Sequence, residues 1–325
     1  MTEPLLSIRD LATAFGEGAS SVTAVDGVSF DIGRGEVFGL VGESGCGKTA
    51  TCRSIIRLFG GAQARIERGS IEFEGRDLVK LGDRELRQVR GAGIAMIFQD
   101  PMTSLNPTMR VGAQIEEAVR RHHGSTRRKA RQETVRLLER VGVPSAQERA
   151  EAWPHELSGG MRQRVMIAMA LAGGPRLLIA DEPTTALDVT IQDQVLKLIL
   201  GLRQEFGMSV LLITHDLGVV AQTCDRVAVM YAGRIAELAE TRELFARPRH
   251  PYTLALLGAL PARRPRGQLL TAIAGAPPDL ASPPPGCRFH PRCKYAEAAC
   301  IAAVPPLKKI CDERFTACRR HEVLP

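Results

Sequence analysis

Several things are scarce in this chain, and each shortage excludes a class. No apolar run approaches the ~18 residues that a membrane-spanning helix needs. The longest, such as Val165 to Ala172, is about half that and closes on Gly173-Gly174. The start, Met1-Thr2-Glu3-Pro4, has neither the basic nor the apolar block of a secretory signal. The expectation is a soluble, cytoplasmic chain. No internal repeat is visible, which argues against a tandem pair of similar units. Aromatic residues make up only 4% of the 325 residues. None of them interleaves the basic stretches Arg120-Arg121-His122-His123 and Arg127-Arg128-Lys129, as base stacking would require. With Glu116, Glu117, Glu133 and Glu139 close by, those stretches read as a solvated helical face.

Cysteine and net positive charge are sparse in the body and concentrated at the end. Cys46, Cys52 and Cys224 are spread over the first 260 residues, whereas Cys287, Cys293, Cys300, Cys311 and Cys318 crowd the last forty. Of the net charge of +7, residues 261–325 carry eleven Lys+Arg against five Asp+Glu, and the body is nearly neutral. In a reducing compartment such clustering points to metal more than to disulfides. The spacings of six, seven and eighteen positions fit neither a zinc ribbon nor a standard ferredoxin run, so metal and unligated thiols stay open on spacing alone. Seven of the twenty prolines fall between Pro261 and Pro285, which reads as a linker.

What is present is an α/β pattern. The runs Val37–Val41, Ile94–Phe98, Leu177–Ala180 and Val210–Ile213 are continuously apolar, as in strands covered on both faces. Val22 to Ile32 alternates and suits an antiparallel sheet with one wet face. Ile191, Val195, Leu198, Leu202 and Phe206 keep helical spacing, with Gly207 as the stop. Residues from about 108 to 172 read as helical throughout and form an inserted lobe.

Three motifs carry chemistry. Gly42-Glu43-Ser44-Gly45-Cys46-Gly47-Lys48-Thr49 lies between a predicted strand and a predicted helix. Its glycines let backbone N–H groups converge on phosphate oxygens, Lys48 would reach the β- and γ-phosphates, and Thr49 would ligate Mg²⁺. Asp181 and Glu182 end the buried run Leu177–Ala180. Adjacent carboxylates there are costly unless a cation offsets them, so Asp181 would hold Mg²⁺ and Glu182 would polarise the attacking water. Ser158-Gly159-Gly160 opens a helix, with Ser158 as its cap and the glycines baring an anion site. Two anion sites in one chain suggest two chains, each lending Ser158–Gly160 to the other's ATP.

Together these residues resemble the ATP-binding cassette ATPases. Phe98 through Pro107, Asp181 through Asp188, the run His250-Pro251-Tyr252-Thr253 and the cysteine tail are similar to the dipeptide/oligopeptide importer branch. The resemblance implies an α/β P-loop NTPase fold, with a RecA-like core, an antiparallel β subdomain, an inserted helical subdomain and a cysteine-rich tail. The implied division is an ATPase domain at 1–260 and an extension at 261–325. Gln99 would be the glutamine that touches Mg²⁺ and the attacking water. His215 would bond the γ-phosphate, Asp188 would face the opposite subunit, and Phe15 would stack on adenine. Cys46 stands where the family more often has serine, and its side chain is expected to matter little because the backbone N–H makes the phosphate contact.

Implied cofactors are ATP, Mg²⁺ and a four-iron, four-sulfur cluster on Cys287, Cys293, Cys300 and Cys318, with zinc or no metal as alternatives. Cys311 would be a spare. Implied partners are a second cassette subunit (a paralogue), two multi-span permease subunits and an extracytoplasmic substrate-binding protein, with the chain peripheral on the cytoplasmic face of the inner membrane. The activity implied is ATP hydrolysis driving peptide import. The rival is a soluble cassette ATPase acting on nucleic acid or ribosomes, for which no coiled coil, zinc hook or second cassette is visible.

Overall fold

The computed structural model describes residues 3–61, 63–100, 104–185, 187–260 and 273–324. Pro101, Met102, Thr103 and Ala186 of the family strings lie outside the described residues, as do the expected boundary at 260/261 and the first part of the proline-rich linker. The chain divides into two compact units: residues 1–33, 37–80 and 213–325, and residues 34–36 with 81–212.

The first unit holds two sheets. One is antiparallel, in the order Val22–Ile32, Leu6–Phe15, Ala64–Phe73, Arg76–Asp77. Ile8 sits between Phe30 on one neighbour and Ile71 on the other, and Leu6 between Ile32 and Phe73. All six are buried, so one apolar row runs across the sheet. On the same sheet Arg9 and Asp10 are exposed, which gives the wet face that the alternation at Val22–Ile32 predicts.

In the second sheet Val37–Val41 pairs in parallel with Arg226–Tyr231, which turns back antiparallel into Arg234–Glu240. The tail then adds Arg314–Thr316 and Lys308–Cys311 to that edge. These two tail strands are not foreseen in the sequence, where the region reads only as linker and cysteines. One buried charge fastens them. Glu237 is fully buried, and its Oε1 accepts from the Arg249 N–H at 2.8 Å and from Arg314 Nη2 at 3.0 Å. Burial pushes the Glu237 carboxyl up, and those donors oppose it. Nearer the phosphate loop, Asp26 binds Arg68, Arg234 and Arg288 at 2.5–2.8 Å. Burial raises this carboxyl, but the three guanidiniums outweigh it and leave it below its ordinary value.

The second unit has residues 209–212, Leu177–Asp181 and Ile94–Ile97 side by side in that order. Between residues 104 and 172 the described residues hold no strand. Val111–His123, Arg127–Arg140 and Gly159–Leu171 are the long helices. Val111, Ile115 and Val119 are buried one turn apart, facing Ala130, Leu137 and Leu138 of the next helix's own buried stripe. The basic stretch is not wholly solvated: the His122 ring lies over Gly91, and a His123 ring nitrogen meets the Ala172 carbonyl at 2.8 Å. Val189–Phe206 ends at Gly207, as its spacing predicts. No helix among the described residues is long and apolar enough to cross a membrane.

Removing one member of a buried ion pair strands the other. Arg314→Met is expected to lower unfolding free energy by about 3 kcal/mol, because Glu237 keeps a desolvated charge. In Arg314→Met with Glu237→Gln much of that loss should return. Urea unfolding of the three proteins checks this.

Candidate functional site

The strand Val37–Val41 is buried along its whole length and delivers the chain into the loop 42–47, from which the helix Lys48–Ile55 departs. Two contacts explain why glycine stands at both ends of the loop. A Cβ on Gly42 would lie 2.2 Å from the Met230 carbonyl oxygen, and one on Gly47 would lie 2.4 Å from that of Ala24. Gly47 also has φ +105°. Lys48 is buried, and its ammonium donates to the carbonyls of Gly42 at 2.8 Å and Glu43 at 3.0 Å. The Cys46 N–H donates to the Glu43 carbonyl at 3.3 Å. The Cys46 side chain turns inward, its buried Sγ accepting from Lys48 Nζ at 3.9 Å. Burial raises the Cys46 thiol despite the nearby ammonium. Ser44 and Gly45 are exposed, and Thr49 is half-buried on the helix's second position.

Glu43 is held from outside the loop as well. Its N–H donates to the Tyr252 hydroxyl at 3.0 Å, and its carboxylate takes both terminal nitrogens of Arg292, at 2.7 and 3.0 Å. Tyr231, Tyr252 and Phe289 pack with ring centroids 4.5–5.3 Å apart beneath this contact. His250 is buried and accepts from the Tyr252 N–H through Nδ1 at 3.1 Å, which starts the helix Pro251–Gly258. Burial depresses its pKa to about 3.

His215 follows the strand Ser209–Thr214 and is exposed. Its neighbour Asp216 caps the helix Leu217–Thr223, accepting from Gly218 and Val219. Phe15 ends its strand half-buried, and its ring meets Phe59 edge-on at 5.9 Å. It therefore has a protein partner as well as an accessible side.

In the second unit, parallel pairing does the positioning. Ile97 is level with Ala180, so the residues two further on, Gln99 and Glu182, emerge together. Gln99 Nε2 donates to Glu182 Oε2 at 2.9 Å, and the Thr185 hydroxyl donates to the same oxygen at 2.9 Å. Glu182 takes φ +47°, a strained value for this residue type. Asp181, at the strand's last position, is 2% exposed. Ser158 and Asp188 each cap a helix: Ser158 accepts from Met161 at 3.3 Å and Asp188 from Ile191 at 3.0 Å. The two starts pack together, since a Cβ on Gly160 would lie 3.1 Å from Ile191 Cγ2 and one on Gly159 would lie 3.7 Å from Leu187 Cδ2. Ser158, Gly159 and Asp188 remain exposed. Two helix N-termini side by side make an open, positively polarised edge.

Cys287, Cys293, Cys300 and Cys318 line one pocket together with His250 and Phe289. Cys311 lies apart and exposed, on the strand Lys308–Cys311. Burial raises the thiols of Cys287 and Cys293, and that of Cys318 to about 12. Among the described residues no group of three or more His, Cys, Asp or Glu side chains is arranged to hold a metal ion. The cavity's volume is about 20 Å³, room for roughly one water. The expected iron–sulfur cluster therefore does not fit these side chains as they stand, since the donor set is right in kind but encloses too little space, and the zinc alternative lacks three donors gathered around one point.

Comparison with known proteins gives the family. Residues 25–185 match the ABC transporter family, and residues 236–300 match the C-terminal region of oligopeptide/dipeptide transporters. The chain is 52% identical to the dipeptide transport ATP-binding protein DppD of Bacillus subtilis, over 93% of this chain and 90% of that one. It is 51% identical to OppD of the same organism, the oligopeptide transport ATP-binding protein, over 96% and 87%. This chain belongs to the ATP-binding cassette family. Its fold is similar to that of the cassette MJ0796, solved as a dimer bound to ADP and phosphate, with a TM-score of 0.65 and 26% identity over 73% of this chain and 99% of that one. CbiO1 of Clostridium perfringens gives 0.63 and 26%, over 75% and 92%. The chain is an ATPase of this family.

Three residues of this cassette's site escape sequence reasoning: Tyr231, Tyr252 and Arg292. The run His250-Pro251-Tyr252 offered a signal, since His before Pro at a helix start is a capping pattern. Arg292 offered only its place before Cys293.

The neutral His250 ties the Tyr252 support to pH. Unfolded, a histidine titrates near 6.5; folded, this one does so at about 3. Its contribution is whole above pH 6.5 and drains away as pH falls toward 3. Between pH 7.5 and 5.5 that amounts to about 1.4 kcal/mol. His250→Asn keeps a cap acceptor without titrating, so its stability should fall by about that much less over the interval, as read by denaturant unfolding at the two pH values.

Proposed function

We propose that this cassette is the ATP-hydrolysing subunit of a peptide importer. The observation that carries the reading is the Glu182 carboxylate, delivered by a buried strand and oriented by Gln99 and Thr185, in a chain whose phosphate loop is complete. Peptide as the cargo is supported by the names of the relatives and by the match to the oligopeptide/dipeptide transporter C-terminal region. The ATPase domain is assigned to residues 1–260 and the extension to 261–325.

In this reading Lys48 and the N–H groups of the loop Gly42–Thr49, other than that of Glu43, which Tyr252 takes, bind the β- and γ-phosphates, and Phe15 packs against the adenine. The buried Asp181 carboxylate and the Thr49 hydroxyl are oxygen donors of the kind Mg²⁺ takes, and when bound the ion offsets phosphate charge. Glu182 orients or deprotonates the attacking water, Gln99 holds Glu182, and His215 bonds the γ-phosphate. Ser158 and Gly159, exposed at a helix N-terminus, and the half-buried Gly160 beside them are assigned to the ATP of a second cassette, with Asp188 at the same seam. The exposure of that edge supports the assignment, as does the dimeric state of MJ0796. The second cassette is read as a paralogue. Two multi-span permease subunits and an extracytoplasmic binding protein complete the system, with this chain on the cytoplasmic face of the membrane. The nucleic-acid alternative has no observation in its favour.

Glu182→Gln should bind ATP, dimerise on it and hydrolyse it at least a hundredfold more slowly, a barrier increase on the order of 3 kcal/mol. Turnover and size-exclusion with ATP check this, and wild-type turnover would refute the role. The cluster on Cys287, Cys293, Cys300 and Cys318 rests on donor chemistry alone and requires the pocket to open. A colourless sample without iron or zinc is the outcome the closed pocket predicts, and four irons per chain in anaerobically purified protein would show that it opens.

A further inference from the structure

The phosphate loop is gripped by the C-terminal extension, at a residue the ATPase chemistry itself does not use. Glu43 is the loop's second residue, and each of its polar groups has work in shaping the loop. Its carbonyl accepts from Lys48 Nζ and from the Cys46 N–H, its N–H donates to Tyr252, and its carboxylate takes the fork of Arg292. Arg292 comes from the turn His290–Arg292 and its side chain is 5% exposed. It is itself fixed from several sides. Nε donates to the Ala274 carbonyl at 2.9 Å and Nη1 to the Tyr231 hydroxyl at 3.2 Å, and the guanidinium lies over the rings of Tyr231 and Phe289. A two-point, charge-assisted contact by a side chain with so little freedom fixes orientation as well as distance. The segment Pro277–Leu280 of the same extension lines a cavity of about 300 Å³ against Glu43–Cys46.

We infer that Arg292 is a positioning residue for nucleotide binding. Through Glu43 the extension holds the phosphate loop in the shape that accepts ATP, so the tail sets affinity for the nucleotide without touching it. This rests on the loop being the nucleotide site. A loop released at Glu43 can rotate that peptide, which loosens the Lys48 and Cys46 contacts together. The cost should fall on binding and spare the chemical step, whose groups are elsewhere. The coupling is reciprocal: ATP should in turn tighten the tail.

The test uses the full chain in its assembled complex, with MgATP as the probe. Arg292→Met is expected to raise KM about tenfold with kcat within twofold of wild type. Glu43→Gln should do the same, and the double variant should be no worse than either single one, because the two changes break one contact. Arg292→Lys supplies charge without the fork and should fall in between. Amide exchange at residues 273–292 should slow on adding MgATP in wild type and not in Arg292→Met. An unchanged KM in Arg292→Met, additive effects in the double variant, or a fall in kcat alone would overturn the inference. If Arg292→Met fails to fold, Arg292→Lys and the exchange measurement on wild type carry the test. A wild-type complex that binds no ATP would instead remove the reading of the loop itself.

Discussion

A loop that binds phosphate through its backbone must present N–H groups with nothing in front of them and still hold one shape. Here both demands meet at Gly42 and Gly47, pressed so closely on the carbonyls of Met230 and Ala24 that no Cβ fits. The loop is thus braced by the strand Arg226–Tyr231 and by the antiparallel sheet together. The rest of the first unit can be read as the support for that contact. The buried strand Val37–Val41 aims the chain, the tyrosines and Phe289 fill the space beneath, and Arg292 fixes Glu43.

Charge is used differently in the two units. In the first, buried charges are paired for anchorage: Glu237 with Arg314, Asp26 with three arginines, Glu43 with Arg292. Arg234, Arg288 and Arg292 tie the late part of the chain to Asp26 and Glu43 near its start, and a pair of this kind contributes more to specificity of placement than to net stability. In the second unit three carboxylates of the candidate site end a strand, follow it or cap a helix. Asp181 is buried at a strand terminus, Glu182 is held by neutral donors in a strained backbone, and Asp188 spends its side chain on a helix start. Strain and exposed dipoles collect there because chemistry needs groups that are not fully satisfied by the fold.

The strands and the helical lobe were legible because local pattern decides them. Val37–Val41 and Leu177–Asp181 are apolar on both faces, Val22–Ile32 alternates, and Val189–Phe206 keeps a period that Gly207 ends. The tail was not legible. Its strands Lys308–Cys311 and Arg314–Thr316 are short and polar, and they exist because Arg234–Glu240 offers an edge and Glu237 offers a charge to neutralise. The cysteines were read from their number and crowding. Their arrangement around a cavity too small for a cluster depends on side-chain packing that spacing does not encode.

By itself the sequence set the expectation of which residues would carry the chemistry: Gly42–Thr49, Asp181-Glu182 and Ser158–Gly160 by type and spacing, because a phosphate loop and a strand-end carboxylate are local devices, and Gln99 and His215 through the family resemblance. Tertiary structure alone decided what holds them. The Gln99–Glu182 hydrogen bond follows from the register of two parallel strands some eighty residues apart in sequence. The grip of Arg292 and Tyr252 on Glu43 joins positions more than two hundred residues apart. Such contacts are set by which surfaces meet when the chain closes, and no local pattern records them.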